Sequence, residues 1–142
     1  MKANIFLRVA AVVTLLQCAG HILGRPWTMT HNVRSAAVVD AMKAYRFNVM
    51  GFERSYFDFY SGFGLVLGVY LLAQAAVLWN LAALAGSGVA RIRPIIEILC
   101  VANLAVTVLE WRFLFTAPLI MSGVITLSLA LAFVSAHARQ AA

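Results

Sequence analysis

Apolar residues run in four long blocks along the chain, separated by brief polar interruptions and one longer mixed segment. A bilayer core about 30 Å thick is crossed by roughly 20 mainly apolar residues in a helix. The pattern predicts four spans, at about residues 5–24, 56–84, 94–111 and 117–136. Arg8 lies close enough to the start of the first for its side chain to snorkel. The second carries no charge after Asp58. Pro94 opens the third as a first-turn residue, with Glu97 and Glu110 near its two ends. Thr116 is the expected cap of the fourth, and Pro118 falls in its first turn, where a missing N–H is tolerated.

About thirty residues separate the first two spans, too many for a loop without structure of its own. Within them Val38, Ala41, Met42, Tyr45, Val49 and Phe52 recur at helical spacing, while Arg34, Lys43 and Phe47 point elsewhere. This predicts an amphipathic helix lying in the headgroup plane, with a lid packed on the bundle as the alternative. Gly86-Ser87-Gly88 and Arg91-Ile92-Arg93 predict a short turn between the second and third spans. Met1-Lys2-Ala3 before an apolar run has the look of a signal peptide. No small-x-small cleavage site follows, and Gln17 before Cys18 spoils a lipoprotein signal, so the segment is expected to stay as a helix. The expected fold is all-α: one integral membrane domain over residues 1–142, an antiparallel bundle of four transmembrane helices with an amphipathic interfacial helix between the first two.

Composition supports the membrane class. The chain is 63% hydrophobic and 11% charged, with a mean hydropathy of +0.91. Soluble domains carry about a quarter charged residues. A disordered chain, a linker and an ordinary water-soluble enzyme are thereby excluded. The net charge of +6 comes from 11 basic and 5 acidic residues, and the basic ones are scattered rather than gathered in a stripe. They suit lipid headgroups better than nucleic acid. With the N-terminus inside, Lys2, Arg8, Arg91, Arg93 and Arg139 oppose Arg25, Arg34, Lys43, Arg46, Arg54 and Arg112, five against six. That balance leaves orientation undecided; Asp40, Glu53, Asp58 and Glu110 on the long-loop side favour both termini inside.

Alternating helix directions would bring three helix ends to one membrane face. They carry His21 and Arg25, then Glu53, Arg54 and Asp58, then Glu110 and Arg112. Trp27, Tyr56, Tyr60 and Trp111 fall at the same level, as an interfacial belt should, and Trp79 marks the other face. Two readings compete. In one, Arg54 pairs with Asp58, and Arg112 or Arg25 with Glu110, to neutralise helix ends. In the other, Asp58, Glu110 and His21 line a pocket that handles protons, a cation or a polar headgroup. No HxxxH, ExxH or HxxE spacing gathers metal ligands, and no dinucleotide, P-loop, haem or serine-elbow motif occurs, so neither metal nor cofactor is expected. Cys18 and Cys100 fall at different depths, which argues against a disulfide.

On the third span Cys100, Asn103, Thr107 and Glu110 recur at steps of three, four and three, forming a polar seam. Such a seam faces other helices, either as hydrogen-bonding glue or as a path for a proton or substrate. Gly64 and Gly68 form a GxxxG pair, expected to serve packing within the monomer.

The block from Gly20 through His21, Arg25 and Pro26 to Trp27, and the block from Phe52 through Glu53, Arg54, Asp58 and Gly62 to Leu65, are the most distinctive stretches. With Leu78-Trp79 and Arg93-Pro94, they resemble small bacterial four-helix inner-membrane proteins, over most of the chain. The span layout also resembles, more distantly, DoxX-type proteins. The first likeness implies a bacterial inner-membrane location and no particular activity; the second implies the four-span plan alone.

Three functions are consistent with these residues. One is binding of a lipid-like or small apolar ligand, or a partner protein, with His21, Arg25, Glu53, Arg54, Asp58, Asn103, Glu110 and Arg112 as candidate ligand contacts. Another is an enzyme acting on a lipid or isoprenoid, with Asp58 and Glu110 as acid and base and His21 as helper. The third is a small transporter or proton path, which a single four-span unit would serve as a homo-oligomer.

Overall fold

The computed structural model describes residues 2–25, 27 and 31–137. These form α1 (Lys2–Gly24), α2 (Val33–Ala44), an antiparallel hairpin of β1 (Arg46–Val49) and β2 (Phe52–Ser55), α3 (Tyr56–Phe113) and α4 (Thr116–His137). The backbone leaves helical geometry at Gly88 (φ 169°, ψ 73°). This kink divides α3 into a first arm, Tyr56–Gly86, and a second, Arg91–Phe113. Four stretches are long and apolar enough to cross a membrane: Ala3–Gly24, the two arms, and Thr116–Ala136. The chain is a multi-pass membrane protein.

Two boundaries differ from expectation. Helix continues through Arg91, Ile92 and Arg93, so Pro94 lies inside the second arm and does not open it. The anticipated turn shrinks to the single kink. Thr116 is the first helical residue of α4, not its cap.

The chain divides into two compact units, Met1–Cys18 with Leu71–Ala142, and Ala19–Tyr70. In the first, α1 contributes Leu7, Ala10 and Ala11 to the core, and the first arm of α3 contributes Leu78, Leu81, Ala82 and Ala85. Ile92 and Ile96 come from the second arm, and Ile125, Leu129, Ala132 and Ala136 from α4. Steps of three and four keep each set on one stripe. Lipid tails are as apolar as leucine, so helix association depends on close packing and hydrogen bonds; the alanines permit that approach. Larger residues such as Leu16, Ile98, Val101 and Val134 face outward, where lipid is their natural solvent.

In the second unit α2 begins with a reciprocal cap. Asn32 Oδ1 accepts from the Ser35 N–H at 2.9 Å, and Ser35 Oγ accepts from the Asn32 N–H at 3.0 Å. None of its residues is buried. The helix also stops at Ala44 and does not extend to Phe52. From Tyr45 to Val49 apolar and polar residues alternate, and the strand pairs with the segment after the turn: Arg46 opposite Ser55, Phe47 opposite Arg54, Asn48 opposite Glu53, Val49 opposite Phe52. Met50 and Gly51 make the two-residue turn with φ of 52° and 89°. Positive φ at both positions marks the type I′ hairpin turn. Gly51 adopts it freely, whereas Met50 does so at a cost of about 1 kcal/mol. The Gly51 N–H donates to Asn48 Oδ1 at 3.0 Å, which closes the turn.

Ser55 then caps α3. Its N–H donates to Asp58 Oδ2 at 2.8 Å, and the Asp58 N–H donates to Ser55 Oγ at 3.1 Å. Farther along the first arm, a Cβ on Gly64 would run into the Trp27 indole, and one on Gly68 into Ile22. The GxxxG pair therefore serves packing within the chain. Trp27 is only 8% exposed, so it is a packing residue and not a member of an interfacial belt.

Candidate functional site

In the first unit the polar seam on the second arm of α3 meets a polar partner from each of the other three helical stretches. Glu110 Oε1 accepts from Gln17 Nε2 of α1 at 3.2 Å. The same amide nitrogen donates to Ser122 Oγ of α4 at 3.1 Å. One turn away, Thr107 Oγ1 donates to the Asn103 carbonyl at 2.8 Å. Its single proton is then committed, so the 3.1 Å contact with Thr126 Oγ1 is a donation from Thr126. Asn103 Oδ1 accepts from Gln74 Nε2 of the first arm at 3.0 Å. Cys100 Sγ, 3.9 Å from the Thr126 carbonyl, ends the ladder. Ten residues separate Cys100 from Glu110, so the ladder covers about 15 Å along the helix.

Glu110 is the carboxyl end of this ladder and is buried, at 7% accessible. Its Oε2 is buried without a hydrogen-bond partner. Its side-chain partners are the neutral Gln17 and Ser122, whereas Arg112, one of the two expected ion-pair partners, lies with its guanidinium 5.3 Å from the Phe113 ring centre. The Arg112–Glu110 pairing is thus not formed.

The second unit holds an open recess of about 270 Å³ lined by Arg54, Asp58, Phe59, Gly62, Phe63 and Val66. Asp58, Gly62 and Val66 follow at steps of four, with Phe59 and Phe63 beside them, so one face of the first arm forms its floor. Gly62 leaves that floor open, since a Cβ there meets nothing within 4 Å. The two charges stand at one end of an otherwise apolar lining. They do not form the expected i,i+4 ion pair. Asp58 caps the helix through Ser55, and Arg54 donates from Nη1 to the Glu53 carbonyl at 2.8 Å while lying over the Phe52 ring. Both charged groups keep hydrogen-bonding capacity for something else.

Other candidates have simpler roles. His21 Nε2 lies 2.8 Å from the Gly64 carbonyl, so that nitrogen carries the proton and donates. Its ring meets Trp27 edge to face, with centroids 5.3 Å apart. His21 thus fixes the packing of α1 against the first arm of α3. Glu53 forms an exposed pair with Arg46, Nε to Oε2 3.7 Å, of the kind that adds little stability. Arg25 follows α1 with φ of 40°, so the left-handed residue after the helix is Arg25 and not Gly24. Asp58 and Glu110 belong to different units, and each is described by its own neighbours. Among the described residues no group of three His, Cys, Asp or Glu side chains is arranged to hold a metal. Neither cysteine is in a disulfide.

Gln17, Gln74, Ser122 and Thr126, which complete the seam, lie outside the residues that its spacing marks. The usable signal is polarity within a span: a lone glutamine in an apolar helix needs a partner.

No family model, curated protein or solved structure matches the chain.

Proposed function

We propose that this is a bacterial inner-membrane protein, its four spans forming an antiparallel bundle, that binds an amphipathic lipid-like ligand in the recess headed by Arg54 and Asp58. The observation carrying this reading is the order of that lining: a guanidinium and a carboxylate at one end, then Phe59, Gly62, Phe63 and Val66. A zwitterionic phospholipid has the complementary order, with a phosphate for Arg54, an ammonium for Asp58 and an acyl chain for the apolar floor. Gly62→Leu tests it directly, because the new side chain enters open space. Purified wild-type protein should retain phosphatidylethanolamine detectable by lipid mass spectrometry, and Gly62→Leu should retain much less at unchanged thermal stability. Equal retention by the two proteins overturns the reading.

A second reading, passage of protons through the first unit, is favoured by the unpartnered Oε2 of Glu110 at the head of the polar ladder. Proteoliposomes containing a trapped pH indicator would then acidify faster with wild type than with Glu110→Gln. Identical rates would remove this reading and leave the ladder as inter-helix glue.

A further inference from the structure

We propose that the β1–β2 hairpin is an amphipathic wedge that seats Val49, Met50 and Phe52 at the boundary between lipid headgroups and acyl chains. This inference goes beyond the recess, with which the hairpin shares Arg54 and the Phe59–Phe63 pair, and rests on Val49, Met50 and Phe52, which lie outside it. It starts from the pairing register, which sorts the hairpin into two faces. Arg46, Asn48, Glu53 and Ser55 share one face; Phe47, Val49, Phe52 and Arg54 share the other. Arg46 pairs with Glu53 along the polar face, so that side is suited to water.

The apolar face is continuous with the start of a membrane span. Phe47 touches both Tyr56 and Phe59 of α3, with ring centroids 5.0 Å and 5.8 Å apart, and Phe59 touches Phe63. Val49 and Phe52 extend the surface that begins with those rings. Phe52 is 63% exposed and Met50 is 93% exposed, so protein does not cover them.

Met50 points most directly to lipid. The first position of this turn favours Gly, Asn or Asp, which reach positive φ with little strain or are suited to water. A methionine there has an unfavourable backbone and a large apolar side chain projecting outward. Neither feature helps the hairpin fold, and a long flexible thioether is suited to entering acyl chains. The cations nearby fit the same surface. The Arg54 guanidinium lies over the Phe52 ring and the Lys43 ammonium over the Phe57 ring, which sets two cations beside the apolar side chains, where anionic headgroups would meet them.

The test places a nitroxide at Met50→Cys in the full chain, reconstituted in vesicles of phosphatidylethanolamine and phosphatidylglycerol. A label at Glu53→Cys, on the polar face, provides the comparison, and the unsubstituted protein shows any signal from Cys18 and Cys100. Collision with oxygen, which concentrates in lipid, should exceed collision with a water-soluble nickel complex several-fold at position 50, and the order should reverse at 53. Easy access of the nickel complex to position 50 means the tip is in water and overturns the wedge. Protection from both reagents means that protein covers the tip, which overturns it equally. Phe52→Cys supplies a second label on the same face and must give the same order as position 50.

Discussion

A carboxylate buried among helices demands partners, and at Glu110 the partner on Oε1 is an amide rather than a guanidinium. Gln17 holds Glu110 and Ser122 with one nitrogen, so its loss undoes two contacts between helices. Gln17→Leu is expected to lower stability by about 1–3 kcal/mol, the cost of leaving buried polar groups unpaired. Thr107→Val removes an ordinary membrane hydrogen bond and is expected to cost about 0.6 kcal/mol. Thermal unfolding of the two variants in the same detergent checks both the sizes and their order; a larger loss for Thr107→Val would contradict this assignment. Asp58 contrasts with Glu110, being exposed and engaged in a cap. Asp58→Asn keeps an oxygen for the Ser55 N–H, so its effect on stability should stay below about 1 kcal/mol. The seam itself was legible because Asn103, Thr107 and Glu110 repeat on one helix face. Its partners were not, because Gln17 and Gln74 lie on other helices, and the spacing within one helix does not say which residue of another will face it.

At the scale of elements, small residues divide into those that packing requires and those that leave space. Gly64 faces the Trp27 indole so closely that any side chain must displace it. Gly64→Leu is therefore expected to lose several kcal/mol by overpacking, and more than Gly62→Leu, two residues earlier, which should be nearly neutral. Thermal unfolding side by side separates them, and equal losses would refute the assignment of Gly64 to an intrachain contact. Hydropathy located the spans well, and the end of α1 at Gly24 and the start of α3 at Tyr56 fall where the apolar blocks change. The hairpin was hidden for a physical reason. Apolar residues at 45, 49 and 52 lie four and three apart, as on a helix, while Phe47 fits only the period of two that a strand requires. Met50-Gly51 is also not among the usual dipeptides of the two-residue turn, so the strongest local signal was absent.

At the scale of the whole molecule, four helices long and apolar enough to cross a membrane imply a relation between loops that charge does not supply. The basic residues divide five against six, so the positive-inside rule leaves the two orientations nearly balanced. The count of crossings is more decisive. Residues 25–55 follow the first candidate span, and the kink at Gly88 follows the second, so one helix long and apolar enough to cross lies between them. Ala37 is an exposed residue of α2, and Gly86 has open space where a Cβ would stand. Cysteines introduced as Ala37→Cys and Gly86→Cys should each leave the fold intact, without disturbing the Asn32–Ser35 cap. A membrane-impermeant thiol reagent added to sealed vesicles of known sidedness should label one of these positions, and vesicles of the opposite sidedness should label the other. The identity of the side first labelled then fixes orientation. Labelling of both from the same side would mean that the 31 residues of Tyr56–Gly86, about 46 Å of helix, do not cross the bilayer. That outcome would remove the four-span arrangement together with the lipid-facing environment assigned to the recess.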